Sequence, residues 1–160
     1  MQAMSLVTIL RQHGYPVKLT IAGQVPSSEV LSYIKTLAGQ QTYIRFIGDG
    51  SLVNHDIIME LALKADVALV ANQPNPSNEN CIPTKIYECL GLRLPMILQS
   101  HALWESITNP YHAAISINFD DFSPTQLWNS MNSTEFYTQL PGPEVTWESE
   151  ARKIHSLLPG

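Results

Sequence analysis

Charged residues are scarce in this chain, which indicates that much of its surface is either polar and uncharged or covered by something else. Asp, Glu, Lys and Arg make up 14% of its 160 residues, against roughly 25% in an average soluble protein. The net charge of −5 at pH 7 argues against a nucleic-acid partner, since proteins that bind nucleic acid carry basic patches. No apolar run approaches the roughly 20 residues that a membrane-spanning helix needs, so we expect no transmembrane segment. No basic cluster follows Met1, and no secretory signal peptide is predicted.

Cysteine is nearly absent as well. Cys81 and Cys89 are the only two in the sequence, which is too few for a disulfide framework. No Cys-x-x-Cys pair occurs and the five histidines are scattered, so we predict no metal site. We expect two buried free thiols in a reducing compartment, which indicates a cytoplasmic protein.

The sequence does contain a regular alternation of short apolar strands and amphipathic helices. Its 44% of apolar residues predicts a globular chain with a substantial core. Strands are predicted at residues 17–22, 43–47, 67–70, 94–98 and 113–117. In the first half of the chain, helices are predicted at 4–13, at 30–38 after a cap at Ser27 or Ser28, and at 54–65 with Asn54 as the cap. A fourth helix is predicted to start at Pro83 or Thr84. Further helices are predicted at 101–109, 124–131 and 133–140, and a last one after a cap at Thr146.

Alternating strands and helices predict an α/β fold with a doubly wound parallel sheet and helices on both faces. The wholly apolar strand at 67–70 is typical of a sheet buried on both faces. Ligands of such sheets bind outside the carboxyl ends of the strands. Gly23, Gly48, the loop 72–80 and the start of the next helix follow strands and would converge on that edge. Neither repeats nor linkers are evident, so one domain over residues 1–160 is expected.

The segment from Asn80 to Gly91 carries the most specific chemistry in the sequence. At 100° per residue its apolar positions share one helix face, and its polar positions cluster roughly 150° away. The apolar positions are Ile86, Cys89 and Leu90, and the polar positions are Thr84, Lys85 and Glu88. A helix start also presents unpaired N–H groups and the positive end of the helix dipole. This combination favours a ligand that carries both phosphate and hydroxyl groups.

The block Ile82 to Ile97 resembles a conserved block of nucleotide-sugar glycosyltransferases, the GT-B enzymes of the family-4 or "group 1" type. Further segments are similar to blocks of that family in the same order along the chain. They are Val17 to Gly23, Ile44 to Gly48, Leu61 to Val70 and Val145 to Ala151. The resemblance covers nearly the whole chain and implies the Rossmann-like, donor-binding C-terminal domain of a two-domain enzyme.

The resemblance also implies roles for individual residues. Glu88 matches the glutamate that binds the ribose hydroxyls of the nucleotide, and Asn80 stands where a carboxylate normally touches the transferred sugar. Backbone N–H groups around Ile82, Pro83 and Thr84 match those that hold the diphosphate, to which Lys85 could add positive charge. Residues Gly48 to Val53 correspond to the loop that holds the base. The implied reaction is a metal-independent, retaining hexosyl transfer in polysaccharide biosynthesis that uses no cofactor beyond the nucleotide sugar.

The chain departs from the family pattern in three ways. Asn80 is uncharged, the first strand with its Arg and Lys clamp is missing, and so is the N-terminal domain that binds the acceptor sugar or lipid. We therefore expect either a fragment or a chain that works with a separate partner, with little or no turnover by itself. The full enzyme is expected to be cytoplasmic or peripheral to the membrane. A non-catalytic nucleotide- or sugar-binding module is the first alternative. A different doubly wound enzyme is the second, although the Gly-x-Gly-x-x-Gly fingerprint is absent.

Simpler interpretations of the same residues stay open. Thr84 could be a plain helix cap, Lys85 an i,i+3 partner of Glu88, and Asn80 a turn residue. Strand-ending glycines such as Gly23 and Gly48 are explained equally well by backbone geometry and by close approach of a ligand. The remaining conspicuous side chains are expected at helix caps, at the surface or in packing: His55, His101, Trp104, Trp128 and Trp147.

Overall fold

The computed structural model describes residues 1–49, 51–73, 75–76 and 79–146. The chain divides into two compact units, and the single domain expected over residues 1–160 stays a prediction. One unit comprises Met1–Lys64 with Ser123–Trp128, and the other comprises Ala65–Phe122 with the residues from 129 onward. The last predicted helix, after Thr146, lies outside the described residues. In the described part of the chain no helix is long and apolar enough to cross a membrane.

The first unit is an α/β arrangement around a two-stranded parallel sheet. Its elements are α1 (Gln2–Gln12), β1 (Leu19–Ala22), α2 (Ser28–Gln40), β2 (Ile44–Ile47) and α3 (His55–Leu63). β1 and β2 pair in parallel, with Leu19 opposite Ile44 and Ala22 opposite Ile47. These elements confirm the predicted order of helices and strands, with boundaries shifted by a few residues.

Local sequence signals explain where the helices of this unit start. Ser27 Oγ accepts a hydrogen bond from the N–H of Val30 at 3.3 Å, which decides between the two predicted caps. Asn54 Oδ1 accepts from the N–H of Asp56 at 2.9 Å, as predicted for α3. A short polar side chain at the N-cap satisfies one of the orphan N–H groups of the first turn.

The apolar stripe of α3 is less well covered than its pattern suggests. No α3 residue is fully buried, and Ile57 is 44% exposed. By contrast, α1 buries Met4, Leu6, Val7 and Leu10. The periodicity that correctly predicted α3 as a helix therefore did not predict how deeply its stripe is buried.

The second unit contains a three-stranded parallel sheet in the order β3-β4-β5. Its elements are β3 (Ala68–Val70), α4 (Thr84–Leu92), β4 (Met96–Gln99), α5 (Ala102–Thr108), β5 (Ala114–Ile117) and the end of α6 (Pro124–Ser133). All four β4 residues are buried, as expected for the central strand. β3 was predicted to be buried on both faces, but only Val70 is fully buried there.

The parallel α/β character predicted from the sequence is thus confirmed, and the strands form two sheets where one was expected. The helix predicted at 133–140 is wrong. Beyond the end of α6, residues 134–140 are irregular, and Tyr137 has a φ of +56°. The hydroxyl of Tyr137 donates to the carbonyl oxygens of Leu94 at 2.9 Å and Cys89 at 3.1 Å. These tertiary contacts outweigh the local helix preference of the segment.

Candidate functional site

The helix α4 carries the two faces that the sequence predicted. Ile86 and Leu90 are 0% exposed and Cys89 is 7% exposed, so the apolar face is fixed in the core of the second unit. Its polar residues Thr84, Lys85 and Glu88, which we call the α4 polar face, are exposed. α4 packs against β3 and α5. A well-anchored helix therefore presents a hydroxyl, an ammonium and a carboxylate to solvent.

In the described structure, the residue at the N-cap of α4 provides no side-chain acceptor for the N–H groups of the first turn. Pro83 is the N-cap residue and makes no side-chain hydrogen bond, and Thr84 is the first residue within the helix. The interpretation of Thr84 as a plain cap is therefore wrong. Lys85 and Glu88 form no ion pair within 4.0 Å in the described part of the chain. Among the described residues, neither charge is neutralised by an ion pair.

The segment before α4 is held by a buried tryptophan. The Nε1–H of Trp104 donates a hydrogen bond of 2.8 Å to the carbonyl oxygen of Cys81, and Trp104 is 0% exposed. His101 stacks on the indole, with ring centroids 4.2 Å apart. The sequence predicted Trp104 only as packing, although a buried indole N–H usually finds an acceptor. This pair of rings supports the chain immediately before Ile82, Pro83 and Thr84.

His101 follows β4 and is the N-cap residue of α5, yet its side chain makes no capping hydrogen bond. Glu105 reaches back to this helix start, since its Oε1 accepts from the N–H of His101 at 3.2 Å and from Ser100 Oγ at 2.9 Å. The Nδ1 atom of His101 is buried without a hydrogen-bond partner in the described structure. His101 was expected to be an ordinary cap or surface residue; it is the N-cap residue by position, and its ring also packs on Trp104.

Further polar groups join the loops at the carboxyl edge of the three-stranded sheet. Gln73, after β3, donates from Nε2 to Oδ2 of Asp120, after β5, at 2.9 Å. Gln99, the last residue of β4, accepts at Oε1 from the N–H of Phe119 at 3.2 Å. Ligands of parallel sheets bind at this edge. Gln73 and Asp120 were not predicted as a pair, because no local pattern reveals a contact between residues 47 positions apart.

The predicted site residues Gly23 and Gly48 lie in the first unit, at the carboxyl ends of β1 and β2. Gly23 donates its N–H to Ile47 O at 3.1 Å. Gly48 has a φ of +135°, and a Cβ there would meet the carbonyl oxygen of Gly23 far inside contact distance. Backbone geometry alone therefore requires glycine at position 48. The other predicted residues, from Asn80 to Glu88, belong to the second unit.

Beside Gly48 the first unit has an open depression of about 640 Å³ that Lys35, Arg45 and Asp49 help to line. Lys35 forms an ion pair with Asp49. The hydrogen bond and the positive charge from Lys35 lower the pKa of the Asp49 carboxyl. Because both partners are exposed, this pair contributes little to stability.

The two cysteines differ in environment, where the sequence predicted both to be buried. Both are free thiols, with Cys89 buried and Cys81 exposed. Burial, and next the neighbouring carboxylate of Glu88, raise the pKa of Cys89 to about 11. Cys89 is therefore an unreactive core thiol near neutral pH. Among the described residues, no three His, Cys, Asp or Glu side chains are grouped so that they could hold a metal ion.

Comparison with known proteins adds no identification to this geometry. No protein-family model, curated protein or solved structure matches the chain.

Proposed function

We propose that this chain is the donor-binding part of a glycosyltransferase and binds a nucleoside diphosphate sugar. The observation that carries the proposal is the α4 polar face. Thr84, Lys85 and Glu88 are exposed together on a helix whose opposite face is fully buried. The order of sequence blocks that resemble the family-4 glycosyltransferases supports the same assignment.

In this proposal the start of α4 binds the nucleotide. The Glu88 carboxylate accepts hydrogen bonds from the two ribose hydroxyls. The N–H groups of the first turn and the Lys85 ammonium stabilise the diphosphate, since a helix N-terminus favours negative charge. As the glycosidic bond breaks, negative charge grows on the diphosphate, and these same groups stabilise the leaving group. The acceptor, a sugar or lipid, and a base would come from another domain.

Calorimetry with the diphosphates of uridine, guanosine and adenosine, and with their sugar conjugates, tests the proposal. One of these ligands should bind, and Glu88→Gln should weaken that binding by about 10- to 100-fold, because a hydrogen bond to a charged group contributes about 1.5–3 kcal/mol. Glu135→Gln is the matched control, since Glu135 is exposed in the same unit and outside α4. Absence of binding by every nucleotide, or equal effects of the two variants, would refute the proposal.

A non-catalytic nucleotide- or sugar-binding module is the second candidate, and Asn80 favours it. An amide can hydrogen-bond to sugar hydroxyls but carries no negative charge. For a donor domain, Asn80→Glu should tighten binding of the nucleotide sugar relative to the free nucleotide. For a module that recognises only the nucleotide, Asn80→Glu should change both affinities equally.

A further inference from the structure

The open depression of the first unit is lined mainly by residues of α2 and β2. Its volume of about 640 Å³ falls in the range of roughly 300–1,000 Å³ that is usual for small-molecule sites. Such sites combine an apolar lining with a few polar groups that fix the orientation of the ligand. The lining here includes Lys35, Ala38 and Gly39 of α2, and Ile44, Arg45 and Phe46 of β2. Positive charge and apolar surface therefore lie side by side in this depression.

Arg45 carries the charge in this lining that has no counter-charge. Its side chain is exposed, and among the described residues it forms neither an ion pair nor a side-chain hydrogen bond. A guanidinium presents a planar fork of N–H donors that matches two oxygens of a carboxylate or phosphate. Arg45 is therefore suited to bind an oxyanion.

Lys35 supplies a second positive charge, which is paired with Asp49 in the same lining. Because both side chains are exposed, the pair contributes little to stability and its partners separate at low cost. An anion bound to Arg45 can therefore compete with Asp49 for the Lys35 ammonium. Asp49 has a φ of +31°, and Asn tolerates positive φ as well as Asp does. Asp49→Asn thus removes the competing carboxylate without new backbone strain.

The depression also has free space and uncovered apolar surface. A Cβ added to Gly39 would meet no atom within 4 Å, so a larger side chain can be placed there without a clash. Ala38 and Phe46 are only half-buried. An apolar group of a ligand would remove their remaining apolar surface from water, which is favourable.

We propose that this depression binds a small organic anion, in which a phosphate or carboxylate group is attached to an apolar body. Arg45 donates hydrogen bonds to the oxygens of the anionic group, and Lys35 adds positive charge beside it. Ala38 and Phe46 contact the apolar body. The site uses no residue of α4, so the proposal does not depend on nucleotide binding there.

NMR titration of the whole chain with phenyl phosphate and with benzoate tests the proposal. The amide signals of Gly39, Thr42 and Arg45 should shift together, with a Kd of about 1 mM for at least one of the two anions. Inorganic phosphate should bind about tenfold more weakly than phenyl phosphate, because it lacks the apolar body. Benzyl alcohol has the ring without the charge and should cause no such shifts.

Variants separate the contributions of charge and space. Arg45→Gln should weaken binding by about tenfold or more, since it removes charge-assisted hydrogen bonds. Lys18→Gln is the matched control, because Lys18 is exposed in the same unit and outside the lining. Asp49→Asn should tighten binding by about threefold, because Lys35 is then free for the anion. Gly39→Leu fills the space and should weaken binding by about tenfold or more.

Three results would overturn the proposal. They are the absence of shifts at about 10 mM of both anions, shifts confined to the start of α4, and equal effects of Arg45→Gln and Lys18→Gln. If Gly39→Leu does not fold, the comparison of Arg45→Gln with Lys18→Gln remains decisive, since both replace an exposed cation.

Discussion

Trp104 holds the backbone at Cys81 through a hydrogen bond of 2.8 Å from its indole Nε1–H to the carbonyl oxygen. The two residues are 23 positions apart, and the bond joins α5 to the segment that leads into α4. Trp104 is completely buried, whereas Cys81 is exposed, so the bond ties a surface segment to the core. The position of the first turn of α4 thus depends on a core residue as well as on its own helix.

Trp104→Phe should therefore destabilise the second unit and loosen the segment before α4. The variant leaves the Cys81 carbonyl without this donor and reduces packing, and we expect a loss of about 1–3 kcal/mol in the free energy of unfolding. Urea denaturation measures the loss. Hydrogen exchange should become faster at Ile82 and Thr84. Trp128→Phe, a change in the first unit, should leave exchange at these two amides unaltered.

Tyr137→Phe should weaken the end of α4. The Tyr137 hydroxyl donates to the carbonyl oxygens of Leu94 and Cys89, and its removal leaves both without that partner. A loss of about 1–3 kcal/mol in the free energy of unfolding is expected from urea titration. Tyr33→Phe is the control, since Tyr33 is 44% exposed and should change stability by less than about 0.5 kcal/mol. Equal effects of the two variants would contradict a structural role for the Tyr137 hydroxyl.

The two thiols should react at very different rates with a thiol reagent at neutral pH. Cys81 is exposed and should react in the folded chain, whereas Cys89 should react only after unfolding, because it is buried. Cys81→Ser should abolish the fast reaction and leave the slow one. Rapid reaction of both thiols in the folded chain would show that α4 is not anchored as described.

Cys89 should also make stability fall at alkaline pH. Its pKa rises from 9.0 to about 11 on folding, so the folded chain holds the proton more tightly than the unfolded chain. The contribution to stability is complete below about pH 9 and is lost as pH rises toward about 11. Urea denaturation of the unaltered chain and of Cys89→Ala between about pH 9 and pH 11 measures this contribution. The free energy of unfolding of the variant should fall less over this pH range.

Gly48→Ala should be strongly destabilising, because its Cβ would collide with Gly23 and its φ of +135° is unfavourable for any L side chain. We expect a loss of about 2 kcal/mol or more. Gly39→Ala is the matched control, since Gly39 lies inside α2 with open space around it. That change should stabilise the chain by about 0.5–1 kcal/mol. Thermal denaturation distinguishes the two variants. Similar shifts in Tm would argue against the close approach of the ends of β1 and β2.

Local patterns were sufficient to predict most elements of this fold. Ser27 and Asn54 mark their helix starts because N-caps act through neighbouring backbone groups. Buried Ile86 and Leu90 follow from helical periodicity alone. Long-range contacts were not predictable in this way, which is why the segment around Tyr137 was wrongly expected to be helical. The division of the strands into two sheets likewise depends on pairing between distant residues.

The candidate site was predicted in part, for the same reason. The α4 polar face is local, since three and four residues separate neighbours on a helix. The support from Trp104 and the bond between Gln73 and Asp120 join different elements, and a single sequence carries no signal for such pairs. Exposure was misjudged at Cys81, because cysteine is more often buried than exposed.

The separation of faces on α4 has an evolutionary consequence. The side chains that hold this helix in place, such as Ile86 and Leu90, are not those that it offers to solvent. If the proposed site is correct, substitutions at Lys85 or Glu88 would change ligand recognition and have little effect on folding. Such a helix can acquire new specificities by single mutations without passing through unstable intermediates.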